Sequence, residues 1–136
     1  MNITKSSTKD LYYTKDHEWI NFQGSVAYAG VCPFKLIGFK EIQQINFSHP
    51  LGFMKEGDLI ATIKYEDYAI EVHMPVDGKI MDINPAISMG ELNILLQQTE
   101  GTAWLVLIGP SLPYDRKNLL LPIQYQMNGK SKFAKS

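Results

Sequence analysis

The chain has 136 residues, enough for one domain with a substantial core, and 45% of them are hydrophobic against 20% charged. The formal net charge is −1, and Arg116 is the single arginine among 13 basic residues, so broad electrostatic capture of nucleic acid or acidic lipid is not expected. A single cysteine, Cys32, excludes an internal disulfide and a cysteine-based zinc site. The first ten residues lack the apolar core of a signal peptide, and no stretch approaches ~18 apolar residues, so we expect a cytoplasmic protein.

The first half of the chain is predicted to consist of short strands and one short helix. Residues 1–10 are polar and are expected to be flexible. Two strands, Trp19–Phe22 and Ser25–Ala29, are predicted on either side of a turn at Gln23-Gly24. Pro33 suits the first position of a helix, and the alternation in "IQQINF" (42–47) is typical of a half-buried strand.

The spacing of two side chains predicts which edge of that helix is buried. Phe34 and Ile37 lie three residues apart after Pro33, so we expect them to form one apolar edge against the core.

The second half contains a pattern that reads as a repeat. The segments "KEGDLIATI" (55–63) and "SMGELNILL" (88–96) both place Gly, an acid and Leu before an apolar run, and "MPVDGKIMDIN" (74–84) lies between them with a turn at Asp77-Gly78. Short strands announced by glycine-containing turns indicate an all-β sandwich or barrel. We therefore predict two similar halves packed face to face.

The C-terminal quarter is predicted to end the domain near residue 126. "TAWLVLI" (102–108) reads as the last strand, and a short helix near Asp115–Leu121 is expected to end at Pro122. The basic residues 127–136 are expected to form a flexible tail, which leaves 11–126 as the folded domain.

A β-hairpin with a charged tip is predicted in the middle of the chain. In "TIKYEDYAIEV" (62–72), Glu66 and Asp67 form the two-residue turn. This register makes Tyr65 and Tyr68 the first cross-strand pair and pairs Lys64 with Ala69. Hairpin turns usually carry Gly or Asn, so two carboxylates at this tip require an explanation.

Several motifs together resemble one family. "YTKDHEW" (13–19), Gly30 before a short helix, "GDLIATI", "PVDGKI" (75–80), "GEL" (90–92) and "AWL" (103–105) are similar to the H protein of the glycine cleavage system. The resemblance runs from about Tyr13 to Ile108. It implies the fold of the lipoyl- and biotinyl-domain superfamily: mainly β, a barrel-sandwich hybrid of two small antiparallel sheets with one or two short helices.

The resemblance also implies a shuttle protein and not an enzyme. In such an H protein, a lipoyl group amide-linked to one lysine accepts an aminomethyl group from glycine decarboxylase. It presents that group to an aminomethyltransferase and is reoxidised by dihydrolipoyl dehydrogenase. These proteins and the lipoate-attaching enzymes are the partners that the resemblance implies.

The modified lysine of the family falls on Asp67 in this sequence. Counting back from "PVDGKI" and counting forward from Gly57-Asp58 give the same position. A carboxylate cannot form the amide to lipoate because that bond needs an amine nucleophile. Lys64 is the single lysine between Lys55 and Lys79 and is the alternative attachment site, but it lies roughly 10 Å from the tip along a strand.

Other chemistry receives less support from the residues. Glu66 and Asp67 are paired acids, but a solvated tip lacks the cleft that would separate their pKa values. The histidines at positions 17, 49 and 73 match no metal-ligand spacing, so we expect no metal, and His17 is expected to fix local structure. Cys32 is expected to be a buried, inert thiol and a weak helix cap.

The sequence therefore leaves two main hypotheses and one remote one. The first is an H-like module that keeps the scaffold, carries no cofactor and acts by binding or regulation in the glycine cleavage or lipoate pathway. The alternative is a lipoyl carrier with its attachment shifted to Lys64. The remote one, an enzyme of unrelated chemistry on this fold, would need a pocket of perturbed titratable groups that the sequence does not indicate. The oligomeric state stays open.

Overall fold

The computed structural model describes residues 10–48, 52–97, 103–111 and 118–125, and these ranges contain nine strands in two antiparallel sheets. The strands are β1 Asp10–Tyr13, β2 Glu18–Gln23, β3 Val26–Val31, β4 Gln44–Phe47, β5 Gly52–Met54, β6 Leu59–Tyr65, β7 Tyr68–His73, β8 Gly78–Ile83 and β9 Val106–Pro110. The larger sheet has the order β1-β2-β3-β9-β8-β5, and the smaller has the order β4-β6-β7. The mainly β architecture of two antiparallel sheets with short helices is confirmed, although the sheets are unequal in size.

The main core lies between the two sheets. Buried side chains from β3, β5, β8 and β9 of the larger sheet pack with side chains from β6 and β7 of the smaller one. Ile63 and Val72 of the smaller sheet meet Ile80 and Ile108 of the larger sheet in this cluster. Since strand side chains alternate between faces, each sheet contributes one apolar face to this core.

The hairpin of β2 and β3 confirms the first two predicted strands. Its register places Gly30 opposite Trp19. A Cβ atom at Gly30 would lie 2.7 Å from the indole ring, so the strand needs a glycine there to let the ring lie against the backbone.

The short helix predicted at Pro33 forms, but its buried residue differs from the prediction. A 3₁₀ helix spans Pro33–Leu36, and Leu36 is its buried side chain, whereas Phe34 is 41% and Ile37 71% exposed. The expected buried edge of Phe34 and Ile37 was therefore wrong. Phe34 lies within the helix with its ring 4.4 Å from that of His17, and Ile37 is the non-helical residue that ends the helix.

The second Gly-acid-Leu unit does not begin a strand. The first unit leads into β6 as predicted, but the residues after Gly90 form a 3₁₀ helix, Leu92–Leu96. It follows helix α1, Pro85–Ser88, which Asn84 caps by accepting from the Ala86 amide. Leucine favours helical conformations and β-branched residues favour strands, and the second unit is richer in leucine. The prediction of two similar halves was wrong in this half.

The predicted end of the C-terminal helix is also corrected. Residues 118–121 are not helical, and Leu120 forms an isolated antiparallel bridge with Tyr13 of β1. A helical turn covers 122–125, so Pro122 begins a helix instead of ending one, as its fixed φ allows. The rest of the predicted helix (115–117), most of the predicted N-terminal segment (1–9) and the predicted tail (127–136) lie outside the described residues.

None of the helices in the described ranges has the length and apolarity that a bilayer-crossing helix requires.

Candidate functional site

The hairpin of β6 and β7 forms the tip that the sequence predicts. Tyr65 pairs with Tyr68 and Lys64 pairs with Ala69, which confirms the predicted register and leaves Glu66 and Asp67 as the turn. Glu66 has a φ of 52°, and Asp67 is not among the residues with positive φ. A positive φ at the first central residue is the pattern of a type II′ turn, where glycine is preferred.

A neighbouring loop holds this turn from outside the hairpin. The backbone N–H of Glu66 donates to Oε1 of Gln43 at 2.9 Å, just before β4. The tip is thus connected to the edge strand of its own sheet as well as to its own ladder.

The two faces of the hairpin carry different chemistry. Tyr65 and Tyr68 lie on the same face as Ile63 and Ile70, the face that packs into the core, because alternate residues of a strand share a face. Lys64 points to the opposite face, where it is exposed beside its partner Ala69. The lysine therefore projects sideways from the ladder and not from the tip.

Three aromatic side chains meet at the base of the tip. The ring of Phe39 lies 5.8 Å from that of Tyr65 and 6.2 Å from that of Tyr68, measured between centroids, and the two tyrosine rings are 6.4 Å apart and nearly parallel. Desolvation, followed by the carboxylates of Glu66 and Glu41, raises the pKa of the Tyr65 hydroxyl. Two carboxylates therefore act on the polar end of this aromatic cluster.

An apolar groove lies beside these rings. Its volume is about 280 Å³. Its lining consists entirely of apolar side chains, namely Pro33, Phe34, Leu36, Ile37, Phe39, Leu95 and Leu96. Phe39 belongs both to this lining and to the aromatic cluster. A groove with this lining can hold apolar groups but offers no acid, base or nucleophile for catalysis.

A polar cluster elsewhere in the structure joins residues that sequence reasoning did not bring together. Nζ of Lys35 donates to Oδ2 of Asp16 at 2.9 Å and to Oε2 of Glu18 at 3.1 Å. The backbone N–H of His73 donates to the same Glu18 oxygen at 2.7 Å, and Nδ1 of His73 lies 2.8 Å from Oδ2 of Asp16. Since carboxylates accept, Nδ1 of His73 is the donor in this contact, and Nε2 of the same ring lies 3.4 Å from Oε1 of Glu71. The signal available in the sequence was the pair of acids flanking His17.

Asp16, Glu18 and His73 place their ligand atoms within 4.8 Å of one another, a spacing that a metal ion can bridge. The Lys35 ammonium already supplies a cation to both carboxylates. Burial alone would raise the pKa of Asp16, but the hydrogen bond and charge of Lys35, together with those of His73, outweigh it and hold this pKa below its usual range. The cluster is best described as an ion-pair network that connects β2, β7 and the 3₁₀ helix Pro33–Leu36.

The remaining singled-out residues take structural roles. Nδ1 of His17 lies 2.8 Å from the Tyr125 hydroxyl, which ties the loop before β2 to the C-terminal helical turn. Cys32 makes no side-chain cap to the 3₁₀ helix and is 1% exposed. Burial is the largest effect on its thiol and raises the pKa to about 12. A hydrogen bond with Tyr125 acts in the opposite direction but is outweighed. A thiol so rarely ionised is a poor nucleophile. His49 lies outside the described residues.

The fold and the projecting hairpin define a lipoyl-type β domain. A crystal structure of a glycine cleavage system H protein from Mycobacterium marinum has the same fold, with a TM-score of 0.73 over 88% of this chain and 97% of that one, at 20% sequence identity. A family model described as glycine cleavage H-protein matches residues 11–132. The chain belongs to the glycine cleavage H-protein family, as the resemblance predicted.

Individual relatives agree with this assignment. The glycine cleavage system H protein of Thermoanaerobacter sp. (strain X514) is 28% identical over 116 residues, which cover 85% of this chain and 90% of that one. The probable glycine cleavage system H protein of Aeropyrum pernix is 26% identical over 117 residues, covering 86% of this chain and 81% of that one. H proteins are lipoyl carriers and not catalysts themselves, and the family interacts with glycine decarboxylase, aminomethyltransferase and dihydrolipoyl dehydrogenase.

Proposed function

We propose that this member of the H-protein family carries no lipoyl group and acts as a non-catalytic binding or regulatory module in the glycine cleavage or lipoate pathway. One observation carries the proposal. The hairpin tip has the geometry of a projecting two-residue turn, but its side chains are the carboxylates of Glu66 and Asp67. In the register that the family resemblance implies, Asp67 stands where the modified lysine would be. A carboxylate offers no amine for the amide bond to lipoate.

The position of Lys64 argues against its serving as a replacement. Its backbone is a ladder residue of the central strand β6, paired with Gln44 on one side and Ala69 on the other. Its side chain emerges from the face opposite to Tyr65 and Tyr68. A ligase that docks on the end of a hairpin would find this amine one residue below the first cross-strand pair and directed sideways.

The candidate partners follow from the family. We infer that the chain contacts glycine decarboxylase, the aminomethyltransferase, dihydrolipoyl dehydrogenase or a lipoate-attaching enzyme through the surface around the tip. The exposed Tyr68 and the apolar groove beside it support this inference, because exposed aromatic surface is typical of protein contacts.

Intact-mass measurement after co-expression with a lipoate ligase tests the absence of the cofactor. We expect the wild-type chain and Lys64→Ala to have unmodified masses. We expect Asp67→Lys to gain a lipoyl adduct, because it restores an amine at the tip without changing the strands. Lys55→Ala in the Asp67→Lys background is the matched control, and it should leave the adduct unchanged.

Two results would contradict the proposal or its register. A wild-type adduct that Lys64→Ala abolishes would establish the alternative, a carrier with a shifted attachment site. An Asp67→Lys chain that stays unmodified while an ordinary H protein is fully lipoylated in the same cells would show that position 67 is not the family's attachment position. Pull-down with each purified partner then separates a binding module from a chain with no role in this pathway.

A further inference from the structure

A continuous apolar surface joins the groove to the hairpin tip. We call it the groove–tip surface, and it consists of the groove lining together with the rings of Tyr65 and Tyr68. Phe39 links the two parts because it lines the groove and also packs against both tyrosines. Several of its side chains remain open to solvent. Ile37 is 71% exposed, Tyr68 59% and Phe34 41%.

One end of this surface is acidic. Glu66 and Asp67 form the turn beside the tyrosines, and the charge of Glu41 acts on the Tyr65 hydroxyl. All three carboxylates belong to exposed residues. At the other end of the surface, the groove lining contains no charged side chain.

In the described part of the chain, no lysine forms an ion pair with these three carboxylates. Lys64 lies on the opposite face of the hairpin, and Lys35 is engaged with Asp16 and Glu18. Lys40 follows Phe39 directly and is exposed. The acidic end therefore has three carboxylates and one neighbouring lysine, Lys40, so its charge is negative.

We propose that the groove–tip surface binds a partner protein segment that places an apolar side chain in the groove and an arginine at the tip. A guanidinium group stacks on aromatic faces and pairs with carboxylates through a planar fork, so it matches rings bordered by Glu66 and Asp67. A lysine would make the charge contact but not the stacking contact. This inference rests on the proposed binding role and adds the chemistry of the partner.

Selection from a peptide library tests the chemistry directly. A phage-displayed library of random 12-residue peptides is selected on the immobilised full chain, and the enriched peptides are synthesised and measured by calorimetry. We expect enriched sequences to combine a large apolar residue with an arginine. Amide shifts of the ¹⁵N-labelled protein should change at residues 34–39 and 65–68.

Matched variants locate the contact. The double variant Glu66→Gln/Asp67→Asn keeps the size of both side chains and removes the charges, and we expect peptide affinity to fall about three- to tenfold, the range of one or two exposed ion pairs. Ile37→Ser should lower affinity about tenfold by removing an apolar contact. Phe53→Ser is the control, because Phe53 is 62% exposed on β5 of the other sheet and lies outside the groove–tip surface. It should bind as the wild type does.

Several outcomes would overturn the inference. They are a library that enriches no peptide, enriched peptides without basic residues, and equal affinity in the charge-removed variant. If the pathway partners bind both patch variants as tightly as the wild type, the binding role stands and this surface is wrong. A lipoyl adduct on Lys64 would instead refute the proposed function, while the peptide measurements would still decide the surface.

Discussion

At the scale of single residues, Glu66 has the most strained backbone conformation of the hairpin turn. Its φ of 52° lies in the left-handed region, where a Cβ atom crowds the following carbonyl. The turn is fixed nonetheless, because the register of β6 and β7 closes the ladder at Tyr65 and Tyr68 and because Gln43 accepts from the Glu66 amide. The surrounding structure thus imposes a conformation that glycine would adopt freely.

We expect Glu66→Gly to stabilise the protein by about 1 kcal/mol, since glycine removes the strain of a positive φ. The measurement is the free energy of unfolding in urea. Asp67→Gly is the control, and its φ is not positive, so it should be neutral or slightly destabilising. A loss of stability in Glu66→Gly would show that the carboxylate contributes more to the fold than the strain removes.

At the scale of elements, the 3₁₀ helix Pro33–Leu36 determines the character of the groove. The helix directs Leu36 into the core, while Phe34 and the residue that ends the helix, Ile37, stay exposed along the groove. An α-helix would have staggered the same side chains differently. The exposed face therefore becomes part of the groove wall, and the element offers apolar surface to a partner while one leucine anchors it.

Replacement of the two neighbouring apolar residues should have opposite consequences. Leu36→Ala is expected to lower the free energy of unfolding by about 2–4 kcal/mol, because a buried leucine leaves a cavity. Ile37→Ala should change it by less than about 0.5 kcal/mol. Urea unfolding of both variants decides the point. Equal losses would mean that the face of Ile37 is covered by part of the chain.

At the scale of the whole molecule, Glu18 joins the two sheets. Its side chain is 3% exposed. It lies on β2 of the larger sheet and accepts the backbone N–H of His73 on β7 of the smaller one, while Lys35 supplies the opposite charge. Thr14 donates to its other oxygen at 3.2 Å. A buried carboxylate is tolerated here because each of its oxygens has a donor.

We expect Glu18→Gln to destabilise the protein by up to about 3 kcal/mol, since the Lys35 ammonium loses its buried partner and keeps only the more exposed Asp16. In a Lys35→Met background the same substitution should lower the free energy of unfolding by less, because there is then no Lys35 ammonium to lose its partner. A double-mutant cycle in urea measures the difference. Additive losses would rule out direct coupling between the two side chains.

Local patterns in the sequence were sufficient for several of the strands, the hairpin register and the family. Alternation in "IQQINF" and the turn in "TIKYEDYAIEV" predict strands because period-2 burial and turn residues act over a few positions. The motif "DHEW" with the Gly-acid-Leu and Pro-Val units led to the H-protein family, which the family match confirms. The central chemical question, a carboxylate at the turn, was also visible in the sequence.

The tertiary structure decided which faces are buried and which distant side chains meet. Leu36 in place of Phe34 and Ile37, and the helix after Gly90 in place of a strand, depend on what packs against each segment. The cluster of Asp16, Glu18, Lys35 and His73 joins residues up to 57 positions apart. The groove–tip surface exists because Phe39 reaches the hairpin. Such contacts depend on how the elements pack together, and a local pattern carries no information about that packing.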